Sequence, residues 1–283
     1  MVRRKGEAME ENGREIYAPM GSGFKQTKFS QDVLKLKNPV LKLITLGTVI
    51  GIWQLASIYY NNALLLPPPL NTAKALFLAV QDLSTIRNLL LTLRRLLMGL
   101  GIALFIGLTL GFVMGYSRTL LKLIDPVVSC VRQVPMMAWV PLTIVWFGLG
   151  DGPTHFLIAM VGVFPILLNT VAGVQSVPKS YYHAAQSMGA GPFSLFSRVT
   201  LPASLPNIMT GVRIALGAGW MSVICAEFIA TSAGFGFLMV RAQTMMETPL
   251  LIGLMMLGGV VGYSMDLLIR RIERRITRWR FVE

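Results

Sequence analysis

Cysteine and histidine are nearly missing from the 283 residues, with two of each. Two cysteines cannot make a disulfide scaffold, and neither His155 nor His183 has a cysteine or carboxylate at ligand spacing, which argues against a zinc site. Acids are scarce as well: 13 against 26 Lys and Arg, for a formal charge of +13, with only 14% of residues charged at all. So little charge leaves too little solvated surface for a soluble enzyme or a disordered tail protein. A nucleic-acid binder would need its basic residues on a solvated face, so no nucleic-acid partner is expected. No G-x-x-x-x-G-K-[ST] phosphate loop, G-x-S-x-G elbow or triad pattern occurs. The pairs Gly217-x-Gly219 and Gly234-x-Gly236 lack the third glycine of a dinucleotide fold.

What the chain has is apolar length. Hydrophobic residues make up 54% and mean hydropathy is +0.61. About 20 such residues cross a bilayer as a helix. Six stretches qualify: Leu41 to Tyr60, Leu90 to Tyr116, Ile124 to Leu149, Thr154 to Val174, Ile208 to Thr231 and Leu250 to Ile269. Their apolar residues do not alternate, so the reading is an all-α membrane protein with six transmembrane helices. Residues 1–40 form a polar tail without a signal-peptide pattern, 41–270 the membrane domain and 271–283 a basic end. Cys130 and Cys225 fall in apolar runs and read as small buried residues.

Lys and Arg set orientation. If the tail is cytoplasmic, nineteen basic residues face inside and five (Lys74, Arg87, Arg94, Arg95 and Arg241) face outside. Both termini are therefore expected inside. The prolines after Leu64 make a stiff external turn, and Thr72 to Leu83 fits an amphipathic interfacial helix.

Residues 175–207 form the longest inside loop. Pro178, Ser180 as N-cap, a helix from Tyr181 to Met188, and Gly189, Gly191 and Pro192 as stop signals read as a folded device about two turns long.

Those residues carry a resemblance. His183-Ala184-Ala185, three residues, Gly189, nine residues and Val199-Thr200-Leu201-Pro202 resemble the E-A-A, x3, G, x9, I-x-L-P signature of bacterial ABC importer permeases. His183 stands where the family has Glu, which would complete a capping box with Ser180, and Val199 stands for Ile. Arg132-Gln-Val-Pro135, Ala138-Trp139-Val-Pro141, Trp146-Phe147-Gly148, Asn169-Thr170, Gly211-Val-Arg213, Ala226-Glu227 and Ser232-Ala-Gly234-Phe-Gly236 resemble the nitrate, sulfonate and taurine branch. Similarity covers residues 90–275, with the family-like core over 90–270: five helices, to which this chain adds one at the N-terminus.

The resemblance implies a permease subunit of an ATP-driven importer, in the bacterial inner membrane as a multi-pass protein. It is not itself an enzyme and binds no cofactor; ATP and Mg belong to a partner. Expected partners are two copies of a cytoplasmic ATPase, a second permease copy, an extracytoplasmic solute-binding protein and the lipid bilayer. In that family the loop is a coupling helix that docks on the ATPase. The residues expected to couple are Ser180, Tyr181, Tyr182, His183, Ala184, Ala185, Gly189, Val199, Leu201 and Pro202, with docking by shape and Tyr181 or Tyr182. The expected cargo is a small organic anion such as an aliphatic sulfonate or taurine; a thiamin-precursor pyrimidine remains an alternative. An ATP-independent channel or ion-coupled carrier would need an intramembrane acidic cluster that the sequence does not offer.

Charges at depth are costly and mark function or pairing. Arg132 and Arg213 are expected near the cytoplasmic edge, either snorkelling or meeting ligand. Glu227 lies 14 residues beyond Arg213 and needs a different partner, near the outer gate. Asp266 and Arg270 fit an i,i+4 pair. Pro135, Pro141 and Pro165 should bend or break their helices, and the freed carbonyls require protein or a wet cavity. Arg132, Pro135, Trp139, Trp146, Asn169, Trp220 and Glu227 are the candidates for a translocation lining, with anchoring or core packing the competing role for the tryptophans. Gly107-x3-Gly111-x3-Gly115 and Gly258-x3-Gly262 predict close helix packing within the chain.

Overall fold

A computed structural model describes residues 38–277; the tail up to residue 37 and the basic end from 278 lie outside the described residues. The described residues are helical, without strands. Two compact units meet at Trp53 and Gln54. The first contains the start of α1, Asn38–Tyr60, whose apolar side chains from Leu43 to Ile52 are largely exposed.

The second unit starts with the rest of α1. The three prolines bar continuation, and Pro69 then opens α2, Pro69–Gln81, at a position where a missing N–H costs nothing. The helix expected near Thr72 to Leu83 is present, and it packs on the start of the last helix, where Gly253 meets Leu76. Asp82 caps α3, Leu83–Tyr116, by accepting from the Ser84 N–H at 3.0 Å. The helix therefore begins before Leu90; its polar first turns are invisible to hydropathy.

The expected third span is two helices, α4, Arg118–Gln133, and α5, Met136–Phe147, bent by 93°. Pro135 supplies no N–H and holds Val134 extended. Pro141 stays inside α5 and Pro165 inside α6, Asp151–Gln175, so of the three expected to bend or break a helix only Pro135 stands at a break. Next come α7, Lys179–Ser187, α8, Pro192–Leu195, a π-helical turn Phe196–Thr200, α9, Leu201–Ala230, α10, Phe235–Thr244, and α11, Thr248–Ile276.

Close contacts fix the helix directions. Gly99, Gly107, Gly111 and Gly115 of α3 lie against Ile158, Ile166, Thr170 and Val174 of α6. One sequence offset relates all four pairs, so α3 and α6 run parallel. Gly173, Gly162, Gly211 and Gly219 meet Ser204, Ala215, Ile166 and Ile158, pairs of constant sum, so α9 runs antiparallel to α6. Since two consecutive parallel helices require the chain to return, α4 and α5 together carry it from the Tyr116 end to the Asp151 end. Five helical segments are individually long and apolar enough to span, and the bent pair makes a sixth crossing.

The glycine seam packs within the chain, as expected; Gly262 also meets Trp220 and Gly258 meets Phe235. A Cβ on Gly111 would stand 2.6 Å from the Thr170 Cβ. Gly111→Leu should therefore force α3 and α6 apart and cost about 1–3 kcal/mol, measured as a lower unfolding temperature in detergent. Leu96, Ile158, Ala215, Val223 and Phe235 fill the core beside that seam. Cys130 does not join it: it is exposed, because α4 touches the bundle only along one edge, while Cys225 is half-buried.

Candidate coupling and translocation site

At the Tyr116 end, α7 follows Pro178, which serves as N-cap without a side-chain bond. Ser180 is therefore in the first turn, not the cap, and His183 is the fifth helical residue. The capping-box comparison does not apply to it. The helix stops as expected at Gly189, φ +80°, where the Ala190 N–H bonds Ala185 O and the Gly189 N–H bonds Gln186 O. That pairing closes the helix end, and an L side chain would resist its left-handed backbone.

The helix has two faces. Tyr181, His183 and Ala184 are exposed, and Met188 is 88% exposed, next to Phe193 at 82%. Tyr182 points the other way. Its hydroxyl lies 3.0 Å from Thr200 Oγ1, which also accepts a 2.6 Å hydrogen bond from the Tyr116 hydroxyl. Thr200 is fully buried where the π turn enters α9. Phe196 stacks edge-on against Phe112. Val199, Leu201 and Pro202 are half-buried around this joint, with Pro202 in the first turn of α9. The loop thus exposes Tyr181, Met188 and Phe193 among polar side chains and bolts its other side to α3 and α9 through Tyr182. Of the two tyrosines, Tyr181 is the exposed one.

At the opposite end stands a cluster that the sequence did not assemble. Glu227 of α9 is fully buried. Its carboxylate accepts from Arg95 Nη1 at 2.7 Å, from Thr92 Oγ1 at 2.8 Å and from the Gly236 N–H at 2.8 Å. Arg95 also pairs with Asp151 at 2.6 Å and donates to Ala233 O at 2.6 Å. Asn88 Oδ1 accepts from the Gly234 N–H at 2.6 Å, and Thr92 Oγ1 accepts from the Phe235 N–H at 2.8 Å. Gly234, φ +127°, leaves the space that the Glu227 carboxylate fills. α3, α6, α9 and the 231–236 turn are fastened together here. Glu227 is thus a buried structural anchor that has the charge partner expected of it, and it lines neither of the two cavities described next. Arg95, read as an outside loop charge, is its partner. The signal was a matching depth of opposite charges in the second and fifth spans.

The remaining expected path residues divide into four groups. Arg132 and Asn169 share a cavity of about 480 Å³ between α4, α6 and α9, with Met136, Phe164, Pro165 and Ile214. Trp220 lines a second cavity of about 690 Å³ between α9 and α11. Trp139 and Trp146 pack around Phe156 at 6.4 and 5.8 Å, with Trp146 53% exposed. Pro135 sits at the α4–α5 break. Arg132 is at mid-depth, not at the cytoplasmic edge, because α4 starts six residues earlier than expected. Arg213 pairs with Glu273 at 3.3 Å and Asp266 with Arg270 at 2.7 Å. Among the described residues no cluster could hold a metal ion.

Comparison with known proteins agrees with this geometry. An archaeal chain from Methanocaldococcus jannaschii with the provisional name of ABC transporter permease is 35% identical over 87% of this chain and 94% of its own length. The taurine transport system permease protein of Escherichia coli is 32% identical over 87% and 94%. In fold, the chain resembles the MetNI methionine ABC transporter in inward-facing conformations, with TM-score 0.60 at 18% identity over 68% of this chain and 95% of that one. Permeases of this kind work with an ATPase and a binding protein, and ATP is hydrolysed on the separate subunit. Residues 103–278 match the family described as binding-protein-dependent transport system inner membrane component, and the chain belongs to that family as a multi-pass permease subunit of an ABC importer.

Proposed function

We propose that this permease imports a small organic anion of the sulfonate class, working as a pair of identical copies above two ATPase subunits that hold ATP and Mg. The observation that carries the coupling is the two-faced helix α7: its exposed Tyr181, Met188 and neighbouring Phe193 suit a partner's apolar groove, while Tyr182 is bonded to the frame. With α7 in the cytoplasm and six crossings, both termini are cytoplasmic and the Arg95–Glu227 end faces outward, in the cytoplasmic membrane. The similarity to a taurine permease supports the cargo class. ATP-driven approach of the two α7 helices would rock the bent α4–α5 pair, provided that nucleotide favours the outward-facing state over the inward one.

The test is reconstitution of permease, ATPase and binding protein in vesicles with taurine and ethanesulfonate as cargo. Uptake should require ATP and the binding protein together. Uptake at the same rate without ATP would refute the coupling.

A further inference from the structure

We infer that the cavity at the α4–α5 break is an anion-selecting station, in which Arg132 holds the negative group of the cargo and Asn169 offers a second polar contact. The inference rests on the importer reading for its cargo class, but its geometry stands alone.

Depth comes first. The residues of α6 that line the cavity run from Met160 to Asn169, the middle of a 25-residue helix about 37 Å long. Ile214 and Ala218 are likewise midway along α9. A cation at that depth needs a partner or a wet cavity, and such residues mark substrate paths. Arg132 has no partner: among the described residues no carboxylate is within ion-pair distance of it and no hydrogen bond engages it. The nearest acid on its own helix is Asp125, two turns back, about 10 Å along the axis. Arg132 is exposed in the described chain, whereas Arg95 and Arg213, which pack more deeply against neighbouring helices, are compensated. Arg95 has Glu227 and Asp151, and Arg213 has Glu273.

The cavity has the right character for a small anion. At about 480 Å³ it falls in the range of small-molecule sites, and its remaining lining is apolar, with Met136, Met160, Phe164 and Leu168. Asn169 spends one amide hydrogen on Pro165 O at 2.8 Å and keeps another and its carbonyl free. Pro165 thus holds the amide in place without breaking α6. The break at Pro135 sits one turn from Arg132, so a change of the bend angle moves the guanidinium relative to Asn169. The larger cavity beside Trp220 lacks this property. Its two charged residues, Arg213 and Asp266, are both already paired.

Thiol labelling tests the station without knowledge of the cargo. In the permease–ATPase complex, Cys130→Ala and Cys225→Ala remove the native thiols, and Met136→Cys or, separately, Leu168→Cys places one in the lining. Each is reacted with an anionic ethylsulfonate methanethiosulfonate and with its cationic trimethylammonium counterpart; the thiolate forms a mixed disulfide and expels methanesulfinate. Taking the ratio of the two rates cancels any effect of Arg132 on the thiol itself. The anionic reagent should be favoured, Arg132→Gln should lower the anion-to-cation ratio about tenfold, and Arg132→Lys should keep it. In parallel, Arg132→Gln should reduce ATP-driven ethanesulfonate uptake while ATP hydrolysis by the assembled complex persists. A ratio unchanged by Arg132→Gln at both cysteines overturns the station, even where the wild type imports with ATP. A charge-dependent ratio in a complex that moves no ethanesulfonate with ATP keeps the station and discards the proposed sulfonate cargo.

Discussion

Glu227→Ala should destabilise the permease by about 3–5 kcal/mol, seen as a large fall in the unfolding temperature of the detergent-purified protein. The carboxylate is fully buried and receives Arg95, Thr92 and the Gly236 N–H. Removing it takes one of two carboxylate partners from a guanidinium that is 5% exposed, opens a void beside Gly234 and leaves the Gly236 N–H without an acceptor. Arg95→Met alone should be similarly harmful because it leaves the acid unpaired. The double variant Arg95→Met with Glu227→Leu should recover much of the loss, since two apolar side chains need no mutual compensation. A double variant as unstable as the sum of its parts would mean that the pair is incidental. Either way the effect belongs to the end of the bundle opposite α7, so ATPase copurification should survive in whatever protein folds.

Tyr182→Phe combined with Thr200→Val should cut uptake per ATP hydrolysed by about 30- to 100-fold, a coupling free energy of roughly 2–3 kcal/mol. Tyr182, Thr200 and Tyr116 form a hydroxyl chain with contacts of 3.0 and 2.6 Å between α7, the head of α9 and the foot of α3. A push on the exposed face of α7 reaches the bundle through that joint and the Phe112–Phe196 contact. Both substitutions nearly preserve shape, so ATPase binding through Tyr181 and Met188 should remain, and futile ATP hydrolysis should replace import. Uptake and hydrolysis measured on the same vesicles separate the two. Hydrolysis and uptake falling together would point to lost assembly, and wild-type uptake would show that packing alone transmits the motion.

Much of this was legible because the signals are local. The α7 stop at Gly189 follows from a glycine able to take φ +80°. Asp266 and Arg270 needed only helical spacing. The small-residue seam was readable as a packing face, though not which helix it meets. Ser180 failed as a cap because Pro178 already ends the extended segment, so the helix starts at Lys179. Tyr181 and Tyr182 could not be told apart in role, since adjacent residues on a short helix differ only in which side the rest of the molecule covers. Arg95 and Glu227 stand 132 residues apart and were each legible only as a charge without a partner.

The sequence by itself determined the solvent, the helices and the family: apolar length, scarce charge and the spacing from His183 to Pro202 depend on nothing distant. Tertiary structure decided which charges are spent and which remain available. Pairing at Arg95 and Arg213 and its absence at Arg132 depend on how α3, α6, α9 and α11 are set side by side, and periodicity along one helix carries no information about the register of another.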